Sequence, residues 1–284
     1  MNIKVTMDSA CDLPRELLER YGIGVLPMTI VHGDKAYKDG AGFTPDELFG
    51  IVEKGGACTT TAINTSEYEE YFAACLRGCD AVIHINLSGE ISSCHQNAVI
   101  AAEGKPVYAI DSRSLSSGSG ILAVEAAEAA ENGAGAEEIA RRLGELSGSV
   151  ETSFVIDTLK YLHRGGRCSG LAALGANILK LKPCIEMTDG KMNVGRKYRG
   201  NIDTVILQYV KDKLAGRRDI DCRRIFMTHT LGVAEETLAR VRETILECGP
   251  FEAIYDTPAG CTISNHSGPG TLGVLYIGTR RFAC

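Results

Sequence analysis

Ala81-Val82-Ile83-His84-Ile85-Asn86 is an apolar run of strand length, and Leu87-Ser88-Gly89-Glu90-Ile91-Ser92-Ser93 follows it as a hydroxyl-rich loop. A helical stretch from about Ser92 to Ala102 comes next, then a second short strand, Val107–Ile110. Strand, helix, strand within thirty residues is the unit from which parallel sheets are built. The same alternation extends upstream. Ile3–Met7 reads as a strand, Pro14–Tyr21 as a short helix with Pro in its first turn, and Val25–Val31 as one further strand. Thr44-Pro45-Asp46-Glu47 is a capping box with Pro at the first helical position. Ser66-Glu67-Tyr68-Glu69 repeats that pattern and opens a helix with Tyr68, Tyr71, Phe72 and Cys75 on one face. Downstream, an Ala-rich helix is expected over Gly118–Glu131, and a second helical segment around Gly133–Gly148 leads away from this unit.

The character then changes. Ser153–Asp157 opens a new strand, and Lys182–Gly200 reads as two antiparallel strands about the turn Asp189-Gly190. A helix at Ile202–Lys213, a strand at Arg224–Thr228 and a helix at Ala234–Glu247 follow. Two last strands are expected to flank His266-Ser267-Gly268-Pro269-Gly270, where the glycines and Pro269 force a tight turn. The expected architecture is α/β with two domains. Residues 1–150 form a parallel-sheet domain with hydroxyl-rich loops, and residues 151–284 form a mixed-sheet α/β domain.

Bulk properties exclude several classes. The 284 residues carry a net charge of −6, with no basic footprint for nucleic acid. No run approaches the length of a transmembrane helix. The start, Met1–Asp8, is a strand rather than a signal peptide, so a cytoplasmic protein is expected. The eleven cysteines are scattered, with no C-x-x-C and no zinc spacing, as for small buried hydrophobes in a reducing compartment. No metal and no cofactor are expected.

Candidate chemistry lies in loops. Asp8–Asp12, Thr59–Thr65, Leu87–Ser93 and Asp111–Ser114 all offer hydroxyls beside strand ends or helix starts. Ordinary N-capping accounts for many such residues, but several at one sheet edge suit an anion. Lys160–Gly170 sets Arg164 and Arg167 around a Gly-Gly turn, which suits a carboxylate or phosphate or is simply an exposed basic turn. The apolar helix expected over 171–181 is either core or the wall of a lipid tunnel. His266 before Gly-Pro-Gly is either a surface residue or an imidazole fixed at a pocket mouth. The common hydrolase, kinase and dinucleotide motifs are absent.

Taken together these segments resemble the DegV family. The family's T-D-S-x-x-D-L is matched by Thr6-Met7-Asp8-Ser9-Ala10-Cys11-Asp12-Leu13, its T-S-Q-P-S loop by Thr60–Asn64, and its L-S-G-T-Y-Q-S-A by Ile91–Ala98. Its Y-L-x-x-G-G-R-I-S segment is matched by Tyr161–Ser169, and its H-x-G-P-G with a short apolar strand by His266–Ile277. The chain departs from the pattern at Ala62, Ile63, Ser93 and His95. Ser93 would hinder close approach of the backbone to a ligand, and His95 would place a titratable group near the site. The resemblance implies one long-chain fatty acid, such as palmitate, stearate or oleate, held between the domains. It implies a non-catalytic binding subunit that presents the carboxylate to an ATP-dependent fatty acid kinase subunit for acyl phosphate formation, with transient contact at a membrane surface. Thr60 and Ser92 would contact the carboxylate, Thr61 and Ser93 would lie beside them, and Arg167 and His266 would supply positive or donor character. The alternative is a self-contained lipid esterase or phosphotransferase using Ser92 with His95 or His266.

Overall fold

The computed structural model describes residues 1–168 and 181–279. The helix expected over 171–181 lies almost wholly outside the described residues, as does Ser169. The chain begins with β1 (Ile3–Asp8), α1 (Arg15–Tyr21), β2 (Gly24–Leu26), β3 (Thr29–His32) and β4 (Lys35–Lys38). There follow α2 (Pro45–Glu53), β5 (Thr59–Thr61), α3 (Thr65–Leu76), β6 (Ala81–Asn86), α4 (Cys94–Ala102) and β7 (Val107–Asp111). Two helices, α5 (Ser117–Glu131) and α6 (Ala136–Leu146), lead to β8 (Val150–Val155) and α7 (Lys160–Gly165). The remainder is β9 (Lys182–Thr188), β10 (Lys191–Tyr198), α8 (Ile202–Leu214), β11 (Ile225–His229), α9 (Glu235–Cys248), β12 (Ile254–Pro258), α10 (Cys261–Ser267) and β13 (Leu272–Ile277).

The first sheet has the order β2-β1-β6-β7 and is parallel throughout. The six-stranded sheet, β10-β9-β8-β13-β11-β12, is mixed: only β11 and β12 run parallel. A third sheet, β4-β3-β5, was not anticipated. The single strand expected over Val25–Val31 divides at Pro27, which has no N–H for a ladder. Its first piece joins the parallel sheet through β1 and its second joins the small sheet.

Local signals hold elsewhere. Thr44 and Glu47 form the capping box of α2. The second box is shifted from its expected place: Asn64 caps α3 and Glu67 answers it, because Asn64 accepts from the Glu67 N–H. Asp189 and Gly190 both have positive φ, 50° and 79°, as a two-residue hairpin requires. The hairpin tip is tied down. The buried Ser88 hydroxyl donates to the Gly190 carbonyl at 2.7 Å, and Arg113 pairs with Asp189 at 3.0 Å.

The two strands expected about the Gly-Pro-Gly turn are β12 and β13, but a short helix that was not expected lies between β12 and the turn. After β12, Gly260 caps α10, which carries His266 in its last turn and stops at Gly268, φ 80°. A side chain at Gly268 would collide with the Tyr161 ring, so this glycine also lets α7 and α10 pack closely. A seven-residue helix is too short to betray itself by period.

The cores cross between the two large sheets. Phe226, Leu275 and Ile277 of the mixed sheet pack with Met7, Ile83, Ile85 and the α5 residues Ile121–Val124. Residues from Ser117 to Ala127 of α5 are buried nearly all round, between the two sheets. Tyr161 and Cys261 complete another cluster with Ile30, Phe43, Leu48 and Phe49. No disulfide joins any of the ten described cysteines, and no described group of three His, Cys, Asp or Glu residues could hold a metal. No helix among the described residues is long and apolar enough to cross a membrane.

Candidate functional site

A cavity of about 140 Å³ lies beyond the carboxyl ends of β1 and β6. That is where the strand order of the first sheet reverses, the usual ligand crevice of such sheets. Its opposite wall is the face of the mixed sheet carrying Phe154, Thr228 and Leu275, and α10 closes one side.

Five of the six residues singled out in the sequence line this cavity: Thr60, Ser92, Ser93, Arg167 and His266. The His266 Nε2 stands 2.9 Å from the Thr60 Oγ1, joining residues 206 positions apart. Burial, reinforced by the nearby Arg167 and Arg164 guanidinium groups, pushes the His266 pKa down to about 4. The ring is therefore neutral at pH 7 and serves as a hydrogen-bonding group; the fixed positive charge belongs to Arg167. Its Nδ1 is buried with no partner among the described residues, and any side chain at Gly165 would run into it. Arg167 is exposed at the rim, with Nη1 donating to the Gly165 carbonyl at 2.6 Å and its other donors unused among the described residues.

Ser92 Oγ accepts from the Cys94 N–H at 3.2 Å, and its hydroxyl also reaches the Cys94 thiol. Ser93 stands at the N-cap of α4 but its side chain caps nothing. Thr61 is the exception. Successive strand residues point to opposite faces, and Thr61 is exposed on the side away from the cavity.

The rest of the cavity wall is also rich in hydroxyls, but these are spent. Thr228 pairs with Ser117 at 2.6 Å, and Ser153 with the Tyr209 hydroxyl at 2.8 Å. Thr230 donates to the Gly268 carbonyl at 2.7 Å, and Thr271 to the Ser267 carbonyl at 3.0 Å. Ser116 and Thr262 donate to Asp12 and Asp39 at 2.7 and 2.5 Å. Each of these hydroxyls is bonded within the protein, and Leu115, Leu162, Met192 and Ile263 add apolar surface to the cavity.

The family model described as "Uncharacterised protein, DegV family" matches residues 2–279. The chain belongs to the DegV family. A DegV domain-containing protein of Caldanaerobacter subterraneus is 33% identical over 279 residues, covering 96% of this chain and 98% of that one. A Thermotoga maritima relative named a fatty acid-binding protein is 27% identical over 288 residues, covering 96% of each chain. The solved DegV structure from Thermus thermophilus, reported for its fatty acid binding, superposes with a TM-score of 0.86 at 29% identity, over 98% of this chain and 100% of that one. The Bacillus subtilis DegV, a fatty acid binding protein, superposes with a TM-score of 0.81 at 27% identity, over 98% and 99%. The α/β architecture of a parallel and a mixed sheet is thus that of the DegV fold.

In this DegV chain the other hydroxyl loops are structural. Asp8 accepts from Tyr68, His84 and Asn86 at 2.6, 3.0 and 3.1 Å, all buried. Ser112 and Ser114 are taken up by Ser119 and Thr152 at 2.7 and 2.6 Å. His95 does not line the cavity. Its Nδ1 lies 3.4 Å from the Asn86 Oδ1, beside Gly89. A serine hydrolase arrangement does not form among the described residues: His266 bonds Thr60 rather than Ser92, and no carboxylate orients its Nδ1. Sequence reading missed Asp12 and Asp39 as supports of α10. Asp12 stood in a quoted loop, but nothing local said which N–H groups it would meet.

Proposed function

We propose that this protein binds one long-chain fatty acid between the units 1–150 and 151–284, and presents its head group to a separate ATP-dependent kinase subunit that forms the acyl phosphate. The carboxylate accepts from Ser92, Ser93 and Thr60. His266, neutral, donates from Nε2 to Thr60 and so turns the Thr60 hydroxyl toward the ligand. Arg167 at the rim balances the carboxylate charge and, after transfer, the phosphate. Thr61 has no part in it. The protein is a cytoplasmic carrier with transient contact at a membrane surface, and the ATP chemistry belongs to the partner.

One observation carries this reading: Thr60, Ser92, Ser93, Arg167 and His266 line the same cavity as apolar Leu115, Leu162, Met192 and Ile263, while the hydroxyls of Thr228, Ser153 and Thr230 are engaged within the protein. That polarity suits a molecule with one polar end and a long apolar one. The naming of the Thermus, Bacillus and Thermotoga relatives for fatty acid binding supports it. The energetics agree. About 15 methylenes at about 0.8 kcal/mol each give about 12 kcal/mol of gross transfer energy. Ordering and association take back several kcal/mol, leaving a tail that supplies affinity and a head group that supplies orientation. Mass spectrometry of a solvent extract, with uptake of oleate and palmitate by the stripped protein, tests the binding. Absence of both lipid and uptake overturns it. Reconstitution with a fatty acid kinase subunit and ATP tests the second limb, which fails if bound oleate yields no acyl phosphate.

A further inference from the structure

We infer that Asp12 and Asp39 are positioning residues for the head-group site: together they hold the start of α10 so that His266 meets Thr60. The inference rests on the fatty-acid reading of the cavity. The segment Cys-Thr-Ile-Ser-Asn-His-Ser contains no strong helix former, and seven residues are too few to stand as a helix unaided. What holds it comes from the other half of the chain. Asp39 accepts from the Cys261 and Thr262 N–H groups at 2.8 and 3.1 Å, one with each carboxylate oxygen, and from the Thr262 hydroxyl at 2.5 Å. Asp12 accepts from the Gly260 N–H at 3.0 Å. Three successive N–H groups are thus gripped by two carboxylates. That fixes the rotation of the helix as well as its height.

Both acids are nearly sealed, at 7% and 5% exposure, and among the described residues neither forms an ion pair. Burying two carboxylates a few residues apart in space with only neutral donors is costly. A Ser or Asn could cap a helix more cheaply. The second oxygen of Asp12 accepts from Ser116, which lines the cavity in a strained conformation, φ 52° and ψ −144°. Ser9 donates to Asp39 and accepts from the Met28 N–H, at 3.1 and 3.0 Å, and Met28 also lines the cavity. The carboxylates therefore join α10 to the cavity wall built by the first half of the chain. At its far end the same helix is joined to that wall again, through His266 and Thr60. A misrotation by one residue would carry the imidazole away from Thr60, because each helical residue turns by about 100°.

The test separates positioning from plain stability by using two ligands with the same tail. Dissociation constants for oleate and for oleyl alcohol are measured on the stripped full chain, the wild type and Asp39→Asn. Asp39→Asn is expected to weaken oleate at least tenfold and oleyl alcohol less than threefold. In a His266→Gln background, Asp39→Asn is expected to add less than a twofold further loss for oleate. Equal losses for both ligands, or additive losses in the double variant, would overturn the inference. Should Asp39→Asn not fold, Asp12→Asn, which disturbs one N–H instead of two, is put through the same comparison, with the same outcomes for and against. A wild type that takes up neither ligand overturns the underlying fatty-acid reading instead, so the two failures are distinct.

Discussion

The two ends of the cavity hold similar residues and do opposite things. At the Thr60–Ser93 end, Ser92 is held only by its near neighbour Cys94, Ser93 caps nothing, and Arg167 makes one hydrogen bond among the described residues, to the Gly165 carbonyl. Along the Thr228–Thr271 wall, every hydroxyl named above is already engaged by Ser117, Tyr209, Gly268 or Ser267. Side-chain chemistry alone would call both ends polar. The difference lies in where each hydrogen bond has been spent, and a satisfied hydroxyl presents its carbon. A wall of Ser and Thr can accordingly face an acyl chain without cost.

The hardest blow to this contrast is a charge in the spent region. Leu115→Asp places a carboxylate among Phe154, Leu162 and Met192 with no donor left to meet it. Oleate affinity is expected to fall by at least 100-fold, about 3 kcal/mol or more, in a titration of the stripped protein. Near-normal affinity would show that the tail lies elsewhere.

The next effect is on stability and concerns the two ends of α10. His266 titrates near 4 in the fold against 6.5 in the unfolded chain. As pH falls from 6.5 to 4, the unfolded chain takes up a proton that the fold refuses, so stability drops by about 3 kcal/mol from this group. Asp12 runs the other way. Burial, with a further push from Asp39, raises it from 3.8 to about 7, so the fold takes up its proton first and gains stability as pH falls from 7 to 4. Urea melts at pH 4.5 and 7 should show His266→Gln gaining relative stability in acid and Asp12→Asn losing it. Variants that track the wild type at both pH values would remove the assigned protonation states.

Smaller effects belong to single hydroxyls. Thr60→Ala and Ser92→Ala should each weaken oleate about five- to tenfold, about 1–1.5 kcal/mol, and leave oleyl alcohol unchanged. Unchanged oleate affinity in both would move the head group away from these residues. Thr228→Val exchanges a spent hydroxyl for a methyl. It should alter oleate affinity less than twofold, with the lost Ser117 bond appearing only as a slightly lower melting temperature. A large loss of affinity would mean that the tail end is not sealed.

What could be read from sequence was what is decided locally. The β6–α4–β7 unit, the Thr44 box and the Asp189-Gly190 hairpin each depend on neighbours a few residues apart. The small sheet and α10 escaped because three- and four-residue strands and a seven-residue helix lack a period to detect. Their stability comes from partners far along the chain. The site followed the same rule. Family resemblance picked out Thr60, Ser92 and His266, but strand parity turns Thr61 away from the cavity, and of the positive or donor character expected of His266 burial leaves the neutral ring. The use of Asp12 and Asp39 could not be read at all, since the N–H groups they accept from lie more than 220 residues away.

The burial of α5 on all sides has a consequence for how the protein is made. Its Ile121–Val124 surface needs Phe226 and Leu275 as well as the first sheet. The ribosome delivers those residues about a hundred or more positions after α5 has emerged, at about 5–20 residues per second. For many seconds a nascent chain with a complete parallel sheet still carries an uncovered apolar helix. The first half cannot finish folding during synthesis, and truncations near residue 150 should require chaperones or precipitate.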